Sequence, residues 1–145
     1  MKKILFLTTI LSLMFVGCKS QKNTVVNARA EFDPDQVWVL TEMQGKDVVY
    51  QEGQAKATIQ INTEAGTFNG KNGCNRYFGN FKDLGDGKMV LSDFNGTKMA
   101  CPESFRKLES NFMQLIRKCN GYELDEYRLV LKQGDKELLT FEKEK

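Results

Sequence analysis

Pro102 to Lys118 reads PESFRKLESNFMQLIRK, and within it Phe105, Leu108, Phe112, Leu115 and Ile116 recur at three- and four-residue spacing, continued by Cys119. That period is the apolar stripe an α-helix lays against a core. Pro102 suits a first helical turn, where no backbone N–H is needed, and Glu103 meets the positive end of the helix dipole. Lys118 lies near the other end, and Asn120-Gly121 supplies the stop. It is the one clearly helical stretch of the chain.

On either side the period changes to two. Val37-Trp38-Val39-Leu40 opens a β-like series, and Ala57, Ile59 and Ile61 then alternate with polar residues. Thr67-Phe68-Asn69 follows. Tyr77, Gly79 and Phe81 share one side of a run to Lys82. Met89, Leu91 and Asp93 alternate with Val90, Ser92 and Phe94, and Tyr127, Leu129 and Leu131 with Arg128, Val130 and Lys132. Leu138 to Phe141 closes the series, with Gln133-Gly134-Asp135 as a hairpin connection before it. Four Asn-Gly pairs, at 69–70, 72–73, 95–96 and 120–121, read as tight turns, two of them crowding the approach to Cys74. An antiparallel sheet needs one face covered, and one helix is available to cover it. The expected fold class is therefore α+β: a curved antiparallel sheet or small barrel packed on one amphipathic helix, over residues 37–145.

The amino-terminal segment is of another kind. Lys2 and Lys3 precede a thirteen-residue apolar run from Ile4 to Val16. A bilayer-spanning helix needs about 20 residues, so this run is a signal peptide, residues 1–17. Phe15-Val16-Gly17-Cys18 resembles the cleavage site of bacterial lipoproteins, with Phe15 where Leu is usual. That resemblance implies that Cys18 is acylated and becomes the mature N-terminus. Lys19, rather than Asp, favours the outer membrane under the known sorting rule. Residues 18–36 are polar and aperiodic and read as a flexible tether between lipid and domain.

Composition narrows the function. The chain has 145 residues, 41% of them hydrophobic, 28% charged and none of them His. Without His, Ser-His and Cys-His catalysis and His-based zinc sites are excluded. Loss of Lys2 and Lys3 with the leader takes 21 Lys+Arg to 19, against 19 Asp+Glu. The mature chain is near neutral, which gives nucleic-acid binding no electrostatic support. No metal or other cofactor is expected.

Three cysteines remain after Cys18. Cys101 and Cys119 flank the helix, and 18 residues at 1.5 Å each place them roughly 27 Å apart, beyond bridging distance. Cys119 shares the helical stripe and reads as a small buried hydrophobe. Cys74–Cys101 is the favoured pair, closing a 27-residue loop worth roughly 3–4 kcal/mol in the chain-entropy model. The alternatives at this stage are two buried, reduced thiols, or a reactive Cys101 activated by the helix N-terminus.

Gly73-Cys74-Asn75-Arg76-Tyr77-Phe78-Gly79, then Thr97-Lys98-Met99-Ala100-Cys101, then a helix carrying Glu109 and Phe112, with Trp38-Val39-Leu40 before and Leu129 and Phe141 after, resemble the META domain, also called HslJ-like. The resemblance covers about Val37 to Phe141. It implies an envelope lipoprotein associated with heat shock and antibiotic tolerance, and it carries no catalytic residues.

The expected function is that of a non-enzymatic, lipid-anchored envelope module, a monomer, binding an unidentified envelope protein or small ligand. Asn75, Arg76 and Tyr77 are the candidate binding residues, as an Asn-Arg-aromatic cluster on a turn, set against a structural reading in which Asn75 caps its own turn and Tyr77 lies in the core. Two other readings remain. One is an inhibitor of a periplasmic or foreign hydrolase. The other is an enzyme using Cys74 or Cys101, or carboxylate pairs such as Asp83 with Asp86 or Glu123 with Asp125, although Gly85-Asp86-Gly87 reads more simply as a turn and Glu123, Asp125 and Glu126 as a solvated edge.

Overall fold

The computed structural model describes residues 31–144. The leader, Cys18 and residues 19–30 of the tether lie outside the described residues. In chain order the elements are β1 (Trp38–Met43), β2 (Lys46–Asp47), β3 (Thr58–Asn62), β4 (Thr67–Lys71), β5 (Arg76–Gly85), β6 (Lys88–Gly96), α1 (Glu103–Ile116), β7 (Gly121–Leu124), β8 (Arg128–Gln133) and β9 (Lys136–Lys143).

All pairings are antiparallel, and from β3 to β9 each strand pairs with the next in sequence. β1 then takes β3 on one side and β9 on the other, so the sheet curls until its ends meet. Closure is weakest between β6 and β7, which share the single register pair Lys88↔Gly121. Backbone bonds from Met89 N to Asn120 O and from Tyr122 N to Gly87 O extend that contact slightly. Beyond it β6 diverges toward the helix, and the Arg117 guanidinium lies 4.5 Å over the Phe94 ring. The result is a strongly curved nine-stranded sheet with one helix rather than a clean barrel, within the expected α+β class.

The period-two runs line the inside. Leu40, Ile59, Ile61, Phe68, Tyr77, Phe81, Leu129, Leu131 and Phe141 are all buried. α1 docks over them with Phe112, Leu115 and Ile116, and the Phe112 ring meets Tyr77 at 5.4 Å and Phe141 at 6.3 Å. Phe105 and Leu108 are only half-buried, Leu108 lying against Gly73 of the turn before β5.

Four expectations need correction. The tether read as running through residue 36, but Phe32 is 5% exposed and packs its ring 5.6 Å from Phe81 and 5.0 Å from Tyr122. Gln60 Nε2 then donates to Pro34 O at 2.7 Å, so the segment is tied down before β1 begins. A lone aromatic among polar residues has no periodicity to announce it. The Asn-Gly pairs at 69–70 and 95–96 lie inside β4 and β6 rather than in turns. The helix stops at Ile116, short of Lys118. Finally, Glu123, Asp125 and Glu126 are solvent-exposed as expected, but Gly121–Leu124, which showed no strand pattern, forms β7, with Glu123 opposite Val130 and ion-paired to Lys132.

Candidate functional site

The motif residues are brought together first by the turn between β4 and β5. Gly73 has φ +94°, and a Cβ there would lie 2.9 Å from Leu108 Cδ2, so the helix rests directly on the turn. Asn72 Oδ1 accepts from the backbone N–H groups of Cys74 (3.2 Å) and Asn75 (2.7 Å). Asn75 is the hub. Its Nδ2 donates to Glu109 Oε1 on the helix at 2.9 Å and to Cys74 Sγ at 3.3 Å. Its Oδ1 accepts from Thr97 Oγ1 at 2.8 Å and from Met99 N at 2.7 Å. Asn72 Nδ2 reaches the same Glu109 oxygen at 3.2 Å. Turn, pre-helix loop and helix are thus joined by one nearly closed polar network, which in a low-dielectric setting is worth more than isolated bonds.

Cys74 and Cys101 form a disulfide across this network, with Cα atoms 6.1 Å apart. It connects the turn to the residue preceding Pro102, the helix N-cap. Replacing both cysteines by serine is expected to lower stability by about 3 kcal/mol, measured as the shift of the urea midpoint. An unchanged midpoint would show that the polar network alone holds the loop.

These positions reassign the sequence candidates. Asn75 is 6% and Tyr77 2% exposed. Tyr77 donates its hydroxyl to Thr58 O at 2.8 Å and belongs to the core. The binding reading of the trio is therefore corrected for two of its members, Tyr77 taking the core place its alternative reading gave it, and Arg76 alone of the three faces solvent. The alternation of β5 explains this, since Tyr77, Gly79 and Phe81 point in and Arg76, Phe78, Asn80 and Lys82 point out.

The carboxylates named as alternatives are engaged in turns. Asp83 accepts from Gly85 N and the Tyr122 hydroxyl, and Asp125 from Tyr127 N and Arg128 N. Cys119 is buried, donates to Leu115 O, and has its pKa pushed by burial up to about 12. Burial also raises Tyr77 well above its usual value and Tyr50 to a lesser degree. A raised folded pKa means that the unfolded chain ionises first as pH rises. The stability held by these neutral groups is therefore complete below the unfolded thiol's range and is lost as pH climbs toward 12. Unfolding free energy should be flat with respect to this group below about pH 8. A thiol reagent should label Cys119 only after denaturation. Rapid labelling of the native protein would contradict the burial.

The solvent side of β4, β5 and β6 carries a second constellation, which the sequence candidates touched only through Arg76. Cross-strand register places Lys71 opposite Arg76, and Asn69 opposite Phe78, on one face. Phe78 is in turn opposite Asn95 of β6. The Phe78 side chain is 52% exposed, a large apolar group in an otherwise polar row. A cleft of about 300 Å³, lined by Gln60, Asn69, Gly70, Lys71, Arg76 and Glu144 but not by Phe78 itself, shares Asn69, Lys71 and Arg76 with this face. Neither Lys71 nor Arg76 has an acidic partner among the described residues. The detectable signal in sequence was Phe78 itself, an aromatic on the polar phase of an alternating strand.

The META domain family model matches residues 30–145. Among solved structures, an NMR structure of a protein from Burkholderia xenovorans is 24% identical with a TM-score of 0.60, covering 81% of this chain and 92% of that one. A crystal structure of a duf4847 family protein from Bacteroides vulgatus is 18% identical with a TM-score of 0.50, covering 75% and 92%. These two likenesses concern the fold. No curated protein matches. With the family model spanning the whole curved sheet and its helix, the chain belongs to the META domain family.

Proposed function

We propose that this chain is a non-enzymatic binding module of the bacterial envelope, lipid-anchored through Cys18 at the outer membrane and acting in stress or antibiotic tolerance. The observation that carries the reading is a division of labour. The motif side chains Asn72, Asn75 and Glu109 and the Cys74–Cys101 bridge are bonded into the fold. The outer face of β4 to β6 keeps Lys71, Arg76 and Phe78 without a partner among the described residues for their side-chain ends. Family membership and the lipoprotein-like leader support the location.

The test has two arms. A mass spectrum of protein extracted from membranes should show an acyl adduct at Cys18, and Cys18→Ser should move the protein to the soluble fraction. Arg76→Ala should reduce survival under antibiotic or heat stress while leaving folding intact. Its expected effect on stability is within about 0.5 kcal/mol, with a slight gain favoured because a like-charge cross-strand pair is relieved. Unchanged survival would remove this face from the function, and turnover of a substrate by the purified chain would overturn the reading as a whole.

A further inference from the structure

Resting on that reading of the outer face, we infer that its ligand is a carboxylate-bearing sugar, with the pyranose ring stacked on Phe78 between Asn69 and Asn95 and its acid group on Lys71 and Arg76. Three observations converge on this.

The first is electrostatic. Lys71 and Arg76 face each other across β4 and β5 with no carboxylate between them. Like charges directly opposite on a sheet are destabilising, and no ion pair among the described residues uses either one. The nearest acid along β6, Asp93, is engaged by Asn80 Nδ2 at 2.7 Å and Ser92 Oγ at 3.1 Å. Glu144 lines the same cleft as Lys71 and Arg76 but is ion-paired to neither, so both cations stay open to an anion from solvent. Arg76 offers the planar fork that recognises a carboxylate through two parallel bonds.

The second is the row Asn69–Phe78–Asn95. An exposed ring stacks well against the C–H face of a pyranose, which is a small apolar surface rimmed by hydroxyls. A primary amide both donates and accepts, as hydroxyls require. Here one amide lies on each neighbouring strand, roughly 5 Å to either side of the aromatic strand. Asn69 has no hydrogen bond to another described side chain, and Asn95 uses only its Nδ2, on Asp93 O at 2.8 Å.

The third is elimination by topology. Asn69 and Phe78 lie on β4 and β5, whose backbones are paired on both sides, and the open edge beside the row, on β6 past Lys88, lies beyond Asn95 rather than over Phe78. A peptide adding as a strand needs a free edge. A single-stranded nucleic acid needs successive stacking platforms, and Phe78 is the single exposed ring of this face. A cyclic sugar needs neither, since it is held by side chains alone.

The experiment titrates the full chain in detergent with N-acetylmuramic acid, with N-acetylglucosamine, which lacks the carboxylate, and with inorganic phosphate. The backbone amide resonances of Asn69, Lys71, Arg76, Phe78 and Asn95 are followed. N-acetylmuramic acid should move all five saturably, and N-acetylglucosamine should bind about tenfold more weakly. Phosphate should move only the Lys71 and Arg76 pair. Phe78→Ala should abolish the response to both sugars, and Arg76→Gln should reduce the acid sugar's affinity to that of the neutral one, each with Tm unchanged. Equal responses to phosphate and N-acetylmuramic acid, indifferent to Phe78→Ala, would overturn the sugar assignment, as would no response at all. If the sugars fail while Arg76→Ala still lowers stress survival, the binding-module reading stands and the ligand class falls. If survival is also unaffected, both fall.

Discussion

Replacing Gly70 by alanine is expected to cost about 5 kcal/mol, a large fraction of the roughly 5–15 kcal/mol that holds a domain of ordinary stability. A Cβ on Gly70 would lie 2.0 Å from the carbonyl oxygen of Thr58 and 3.1 Å from the Tyr77 ring. The obstruction is backbone, so no side-chain rotation relieves it. The same Thr58 oxygen accepts the hydroxyl of buried Tyr77 at 2.8 Å. Pushing it aside orphans that hydroxyl in the core as well as opening the β3–β4 ladder, and an unsatisfied buried donor alone costs about 1–3 kcal/mol. Urea unfolding followed by far-UV circular dichroism measures the effect. A midpoint within experimental error of the parent would show that β3 can retreat at no cost, and would contradict the close approach described here.

The second large effect is expected at Asn75. Asn75→Ala removes both side-chain bonds to Oδ1 and both from Nδ2, and leaves Met99 N without its acceptor. At roughly 1 kcal/mol per neutral bond, and more for the one to the Glu109 carboxylate, the loss is about 4 kcal/mol, or a fall in Tm of about 15 °C. Glu109→Gln is the informative companion. Its amide oxygen still accepts from Asn72 and Asn75, so it should lose only about 1 kcal/mol. Equal losses at the two positions would show that charge, rather than the branching of the network at Asn75, is the important feature. Together with the bridge, these substitutions test whether the Gly-Cys-Asn and Met-Ala-Cys segments hold the fold rather than a ligand.

The distinction matters for how the outer face is read. Arg76 sits between two buried motif residues, so its place in the motif says little about its own role. Its neighbours across the sheet, Lys71 and Thr97, are more informative: the former repels it, and the latter accepts from its backbone N–H at 3.1 Å. The fold uses the main chain of Arg76 and leaves the guanidinium to solvent.

Much of this was legible in advance where a segment's own period carried the information. The stripe from Phe112 to Ile116, the alternation of Ile59 with Ile61, and the inward phase of Tyr77 and Phe81 all appear as the spacing indicated. The exclusion of a Cys101–Cys119 bridge needed only the length of a helix. β7 was missed because Gly121-Tyr122-Glu123-Leu124 is too short to show a period, and it becomes a strand by pairing with β8. The glycines of two Asn-Gly pairs were misassigned because glycine serves close backbone approach as readily as a turn. At Gly70 it is Thr58, twelve residues away in sequence, that makes the difference.

What the amino-acid sequence alone determined is therefore local: which of the longer segments are strands or helix, and which phase of each is apolar. Those properties follow from repeats of two or 3.6 residues along one chain segment. What only the tertiary structure decided is which polar residues are consumed by the fold and which are left over. Asn75 is buried because Glu109, 34 positions later, comes back to meet it. Phe78 gains its amide neighbours because β4 and β6 flank β5 in one particular register. Contacts between distant residues depend on how the sheet closes, and closure is a property of the whole chain rather than of any one stretch.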